Sequence, residues 1–156
     1  MNYLIEPQRQ VEICASAEVL VLGGGPSGIA AAIASARSGS KTILLERYGF
    51  LGGMGTAAMV TTFCGLHANI NGSVQQIVHG VADDILDRLE DLGGLNAPHH
   101  IKGRNGGHDT AAQAYDTAAY KVVADELLKE AGVDIRFHSL ATGVAMNDKS
   151  SIDAVI

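Results

Sequence analysis

Residues 21–32 read Val21-Leu22-Gly23-Gly24-Gly25-Pro26-Ser27-Gly28-Ile29-Ala30-Ala31-Ala32. Between the aliphatics and the alanines the side chains shrink to glycine, proline and serine, as they do where a strand ends and a helix begins. Residues 18–22 are aliphatic and β-branched and predict a strand buried on both faces. Residues 26–38 predict a helix, with Pro26 in the first turn, where a missing N–H is harmless, and Gly39 as its stop. Residues 41–46 predict a second strand. A strand, helix, strand unit this short is a right-handed crossover between parallel strands.

Gly23, Gly25 and Gly28 satisfy G-x-G-x-x-G in the context that gives the pattern meaning. The first glycine makes the tight turn and the second lets a pyrophosphate approach the backbone. The third lets the helix pack on the strand. Free N–H groups and the positive end of the helix dipole face the phosphates. Glu46 closes the second strand twenty-one residues beyond Gly25, the spacing of an acid that accepts hydrogen bonds from ribose hydroxyls and repels a 2′-phosphate. The unit reads as a dinucleotide site.

The run from Ala17 to Ala34, followed by Leu44-Leu45-Glu46-Arg47-Tyr48-Gly49-Phe50-Leu51-Gly52-Gly53-Met54-Gly55-Thr56, resembles the FAD-dependent oxidoreductases of the glutathione-reductase-like superfamily. The likeness continues through Thr62-Phe63-Cys64-Gly65, Tyr115-Asp116 and residues 132–144. It implies an α/β, Rossmann-like FAD-binding fold, a parallel sheet with flanking helices plus a β-hairpin. The doublet Gly52-Gly53 is the family feature that selects FAD over NAD. Carried over by position, Gly23, Gly25, Pro26 and Ser27 lie at the pyrophosphate, with Gly28 as the packing glycine. Glu46 lies at the adenosine ribose, Arg47, Gly53 and Met54 near the same end, and Ala141 at the backbone contact to adenine. Family members continue with a later strand to the flavin and a domain over its ring, neither of which this sequence contains. The expected organisation is an arm over residues 1–16 and a cofactor-binding domain, incomplete relative to the family, over residues 17–156.

In a sheet ordered 3-2-1 the first strand lacks its far neighbour, so its edge is expected to pair with another chain or to aggregate. The net charge of −6 argues against nucleic acid or an anionic membrane as partner. Glu6, Arg9 and Glu12 interrupt any leader-like run, and no stretch of about twenty apolar residues spans a bilayer, so the cytoplasm is the expected compartment.

Elsewhere, residues 56–66 read as a buried helix or an irregular strand. Ile77, Val81, Ile85, Leu89 and Leu92 predict an amphipathic helix over residues 75–92. Residues 95–115, with Gly103, Gly106, Gly107 and His108, read as a long loop. Asp116 is placed to cap a helix ending at Gly132, residues 133–138 alternate as a strand, and a hairpin turns at residues 147–151. Cys14 and Cys64, outside any metal or disulfide spacing, are expected as buried small side chains. His99, His100 and His108 read as solvated loop residues and not as a metal site. His67 and His79 read as packing or hydrogen-bonding residues.

The resemblance implies a flavoprotein oxidoreductase, with a small-molecule substrate, in which this chain anchors the ADP half of FAD. The alternatives are a non-catalytic nucleotide-binding module that needs a partner chain, and part of an NAD-dependent dehydrogenase.

Overall fold

The computed structural model describes residues 10–101, 110–147 and 150–156, together with residues 2, 4 and 8. In chain order the elements are β1 (Val19–Leu22), α1 (Pro26–Arg37), β2 (Thr42–Leu45), a 3-10 turn (Gly53–Gly55), β3 (Thr62–Cys64), β4 (His67–Ile70), β5 (Ser73–Gln76), α2 (Val81–Asp91), β6 (His99–Ile101), β7 (Thr110–Ala114), α3 (Thr117–Ala131), β8 (Asp134–Arg136), β9 (Val144–Met146) and β10 (Ile152–Val155).

β1 pairs with β2 in parallel, from Val19 opposite Thr42 to Leu22 opposite Leu45, and α1 is the crossover between them. β8 adds in parallel on the other side of β2, giving the order β1-β2-β8. β2 is therefore bonded on both flanks, and Thr42, Ile43 and Leu44 are buried. Among the described residues the outer edge of β1 has no partner strand, and Leu20 and Leu22 stay exposed beside it.

The core lies between this sheet and the helices. Ile29, Ala32 and Ile33 of α1 meet Leu44 from β2, Leu89 from α2 and Tyr120, Val123 and Leu127 from α3. Alanines on the facing surfaces of α1 and α3 let the helices lie close, and burial of the larger side chains drives the assembly. α3 is delimited as its sequence predicts. The Asp116 carboxylate accepts the N–H groups of Ala118 and Ala119, each at 2.8 Å, and Gly132 ends the helix with φ +82°. Ion pairs tie the helices outside: Arg37 to Asp84 between α1 and α2, and Arg88 to Glu126 and Glu130 between α2 and α3.

A second, antiparallel sheet runs β3-β7-β6, and β4-β5 and β9-β10 are hairpins, the last as expected. Several expectations need correction here. The helix expected over residues 75–92 begins at Val81, because Asn71 and Gly72, both at positive φ, turn a hairpin whose second strand occupies residues 73–76. Gly80, at φ +82°, separates strand from helix, and its N–H is taken by Asp83 Oδ2 at 2.8 Å. Ile77 keeps helical spacing to Val81 by coincidence and is 51% exposed.

The expected loop over residues 95–115 contains two strands. β7 reads Thr-Ala-Ala-Gln-Ala, weak in strand propensity, yet Ala111 to Gln113 are buried between β3 and β6. Gly103, Gly106, Gly107 and His108 lie outside the described residues, as do Glu6, Arg9 and part of the turn of the last hairpin. Residues 56–66 follow the irregular-strand alternative, giving turns and then β3. Cys14 and Cys64 are exposed, not buried. Alternation along β3 explains the latter: Phe63 packs on the core, so its neighbour faces outward.

Candidate functional site

A cleft of about 430 Å³ opens where β1 and β2 end, lined by Leu22, Gly23, Leu45, Glu46, Arg47, Tyr48, Gly53, Ser139, Leu140 and Ala141. Carboxyl ends of parallel strands are where open α/β sheets place ligands.

Glu46 organises this cleft. Its side chain is buried, with Oε2 accepting the Gly24 N–H at 2.7 Å and Oε1 accepting the Tyr48 N–H at 2.9 Å. Its own N–H donates to the Arg136 carbonyl at 2.9 Å and its carbonyl accepts the Ser139 N–H at 3.0 Å. Each carboxylate oxygen keeps acceptor capacity for a further donor.

The glycine loop is shaped by what would collide with a side chain. A Cβ at Gly28 would run into the Gly23 carbonyl, so α1 can leave the strand at this angle only with glycine there. A Cβ at Gly23 or Gly25 would meet nothing within 4 Å, so their backbones border open space. α1 starts there with Pro26, no side-chain cap and no acidic residue in its first turn, in contrast to α3, which Asp116 caps. Its N-terminal donors and dipole are left to a ligand or solvent.

The doublet lies against this loop. The Gly52 N–H donates to the Gly24 carbonyl at 2.8 Å, and a Cβ on Gly53 would come within 2.9 Å of the Gly25 Cα. On the far wall, Ser139 to Ala141 follow β8 and are hooked to β2. His138, with φ +53°, donates its N–H to the Tyr48 carbonyl at 3.3 Å. Arg47 donates to Tyr48 Oη at 2.7 Å with its guanidinium 4.6 Å from the ring centre. Tyr48 in turn stacks on Phe50, which lies under Lys121 Nζ.

Of the residues singled out from sequence, Gly23, Glu46, Arg47, Gly53 and Ala141 line one cleft. Gly25, Pro26, Ser27, Gly28 and Gly52 sit in the adjoining loop, helix start and doublet. Met54 is 61% exposed and does not line the cleft. Leu22, Leu45, Tyr48, Ser139 and Leu140 line it without having been singled out. The signal for the last two was the strand order, since a third strand beside β2 delivers its following residues next to Glu46.

Away from the cleft lining, Phe63, Tyr115 and Tyr120 form an aromatic cluster, with Tyr115 Oη donating to the Val60 carbonyl at 2.6 Å. Burial pushes both tyrosine hydroxyls to higher pKa, Tyr120 the more strongly. Among the described residues, Tyr120 Oη, His67 Nδ1 and Gln113 Oε1 are buried without a hydrogen-bond partner. His79 Nδ1 lies 3.1 Å from Asp83 Oδ1, and His99 and His100 are exposed on β6.

The family model described as FAD dependent oxidoreductase matches residues 18–156. The chain belongs to that family. The cofactor is accordingly FAD. No curated protein matches the chain. Among solved structures, it is similar to GidA of Aquifex aeolicus, with a TM-score of 0.61 at 16% identity over 93% of this chain and 23% of that one. It is similar to the L-amino acid deaminase of Proteus myxofaciens, with a TM-score of 0.55 at 17% identity over 98% of this chain and 45% of that one. For THI4 of Thermovibrio ammonificans the TM-score is 0.51 at 20% identity, over 89% of this chain and 45% of that one. At these identities the likeness shows the fold, the Rossmann-like FAD-binding fold. The chain spans less than half the length of these solved chains. No helix among the described residues is long and apolar enough to cross a membrane.

Proposed function

We propose that this chain anchors the ADP half of FAD for a flavoprotein oxidoreductase acting on a small molecule, with residues 17–156 as the cofactor-binding domain. The observation that carries the reading is the buried Glu46 carboxylate, gripped by the glycine loop through Gly24 at 2.7 Å and facing the cleft beside it. The donors and acceptors fit the group. Gly23, Gly25, Pro26 and Ser27, at the uncapped start of α1, offer backbone and dipole to the pyrophosphate, while Gly28 holds the helix against the strand. Glu46 accepts the ribose hydroxyls, Arg47, Gly52 and Gly53 close the loop around this half, and the backbone at Ala141 meets the adenine. Met54 lies next to the doublet and reaches outward. When bound, FAD supplies hydride or electron-pair transfer at its isoalloxazine ring.

Gel filtration of the purified chain after incubation with FAD, together with calorimetric titration of ADP, tests the reading. Flavin absorbance that travels with the protein and saturable ADP uptake are expected. A colourless protein that takes up neither overturns it. Thermal shifts with FAD and NAD separate it from the reading as part of an NAD-dependent dehydrogenase, since NAD and not FAD stabilises in that case, while ADP, common to both cofactors, stabilises in either.

The edge of β1, which has no partner strand among the described residues, supports a partner reading beside this one. An apolar strand with unpaired N–H and C=O groups accepts another strand, from a second copy or a partner subunit. A stable monomer in size-exclusion chromatography counts against it. The net charge of −6 fits a cytoplasmic protein that does not bind nucleic acid.

A further inference from the structure

We infer that Thr56 is a positioning residue for the pyrophosphate end of the bound dinucleotide, an inference that rests on the ADP-anchoring reading above. The Thr56 hydroxyl is buried and donates to the Leu51 carbonyl at 2.6 Å. That carbonyl belongs to the peptide plane whose N–H, on Gly52, donates to the Gly24 carbonyl at 2.8 Å. One peptide is thus held at both ends, by Thr56 on one side and by the middle residue of the glycine loop on the other.

The planar peptide transmits the constraint. Turning the Leu51 carbonyl away from Thr56 turns the Gly52 N–H away from Gly24 by the same angle. Gly53, the next residue, lies against the Gly25 Cα, and the fully buried Leu51 side chain lies where a side chain on Gly24 would be. The Thr56 hydroxyl and methyl occupy the space where a side chain at Gly52 would stand, which fixes the turn from the inside. Thr56 touches no ligand in this arrangement. It sets the loop that meets the phosphates, and the adenosine end depends on it less, because the Glu46 backbone is fixed separately by the Arg136 carbonyl and the Ser139 N–H.

The test compares ADP, titrated calorimetrically, with adenosine, followed by ligand-observed NMR, on the parent chain and on T56V and T56S. Losing the hydroxyl leaves a buried carbonyl unmatched, and T56V is expected to weaken ADP about tenfold while adenosine changes less than about twofold. T56S, which keeps the hydroxyl, is expected to bind both as the parent does. If T56V is not obtained folded, T56A, smaller in the same space, carries the same expectation. ADP affinity within about twofold of the parent in the hydroxyl-free variant overturns the inference, as does equal weakening of both ligands or failure of T56S to restore binding. A parent that takes up neither ligand overturns the ADP-anchoring reading and this inference with it. A parent that binds ADP beside an unaltered T56V overturns only the role of Thr56.

Discussion

The Gly24 N–H and the Glu46 carboxylate meet at 2.7 Å inside the protein, so the acid that faces the cleft is also a strut of the glycine loop. With Tyr48 N–H on the other oxygen, both carboxylate oxygens already receive backbone donors. Glu46→Gln replaces one acceptor by an NH₂ group and sets it against one of these N–H groups. The variant is expected to lose about 1–3 kcal/mol of stability in urea denaturation and at least about tenfold in ADP affinity. Wild-type stability with lost ADP binding would show that the strut is dispensable.

On the ADP-anchoring proposal, the same carboxylate is expected to discriminate between nucleotides. A phosphate on the 2′-oxygen brings two like charges together in a recess that partly excludes water, where repulsion exceeds its value in bulk solvent. Calorimetric competition is expected to rank 2′,5′-ADP at least about tenfold below 5′-AMP, from which it differs only by the 2′-phosphate. Equal affinity would place the ribose away from Glu46.

Tyr120 offers a test of the core independent of any ligand. Its ring is fully buried between α1, α3 and the 3-10 turn, and its hydroxyl has no partner among the described residues. Removing an unmatched buried hydroxyl is neutral or favourable, so Tyr120→Phe is expected to leave stability unchanged or raise it by about 1 kcal/mol. Destabilisation by more than about 1 kcal/mol would show that the hydroxyl is bonded in solution.

Acid sensitivity follows from three carboxylates. The Gly80 N–H holds Asp83 below the usual carboxylate range, Arg88 does so for Glu130, and Arg136 does so for Asp134. A folded-state pKa below the unfolded value contributes stability at neutral pH that is lost as pH falls through the folded value. The melting temperature is therefore expected to be flat near neutrality and to fall below about pH 4. Asp83→Asn is expected to flatten part of that fall, and an unchanged profile would remove Asp83 from the account.

The β1-α1-β2 unit was legible because steric demands in the glycine loop leave few residue choices and the β-branched strands are unambiguous. α3 was legible from Asp116 and Gly132, whose end chemistry is local. β7 was not, because alanine has little strand preference and its burial comes from β3 and β6, whose paired residues lie nine or more positions away in sequence. The start of α2 was misplaced because Ile77 and Val81 share helical spacing across a glycine whose positive φ no periodicity reveals. At the site, the residues near the glycine motif were found by spacing. Ser139 and Leu140 were not singled out, since their place depends on β8 pairing with β2, whereas Tyr48 follows Glu46 by two residues and was open to the same spacing argument. Cys64 was misjudged because burial preference says nothing about which side of a strand a residue takes, and Cys14 because it lies in the segment before β1, outside any helix or strand.

β2, bonded on both flanks, ends one residue before Glu46. The cleft wall at Glu46 therefore continues a strand held on both sides by main-chain hydrogen bonds, and its ordering is completed in folding. Capture at such a wall is governed by encounter, with association rates that depend on ligand concentration and show no slow rearrangement phase. Opening of the site is then linked to unfolding of the central sheet, so amides of β2 exchange with solvent only on the timescale of global unfolding.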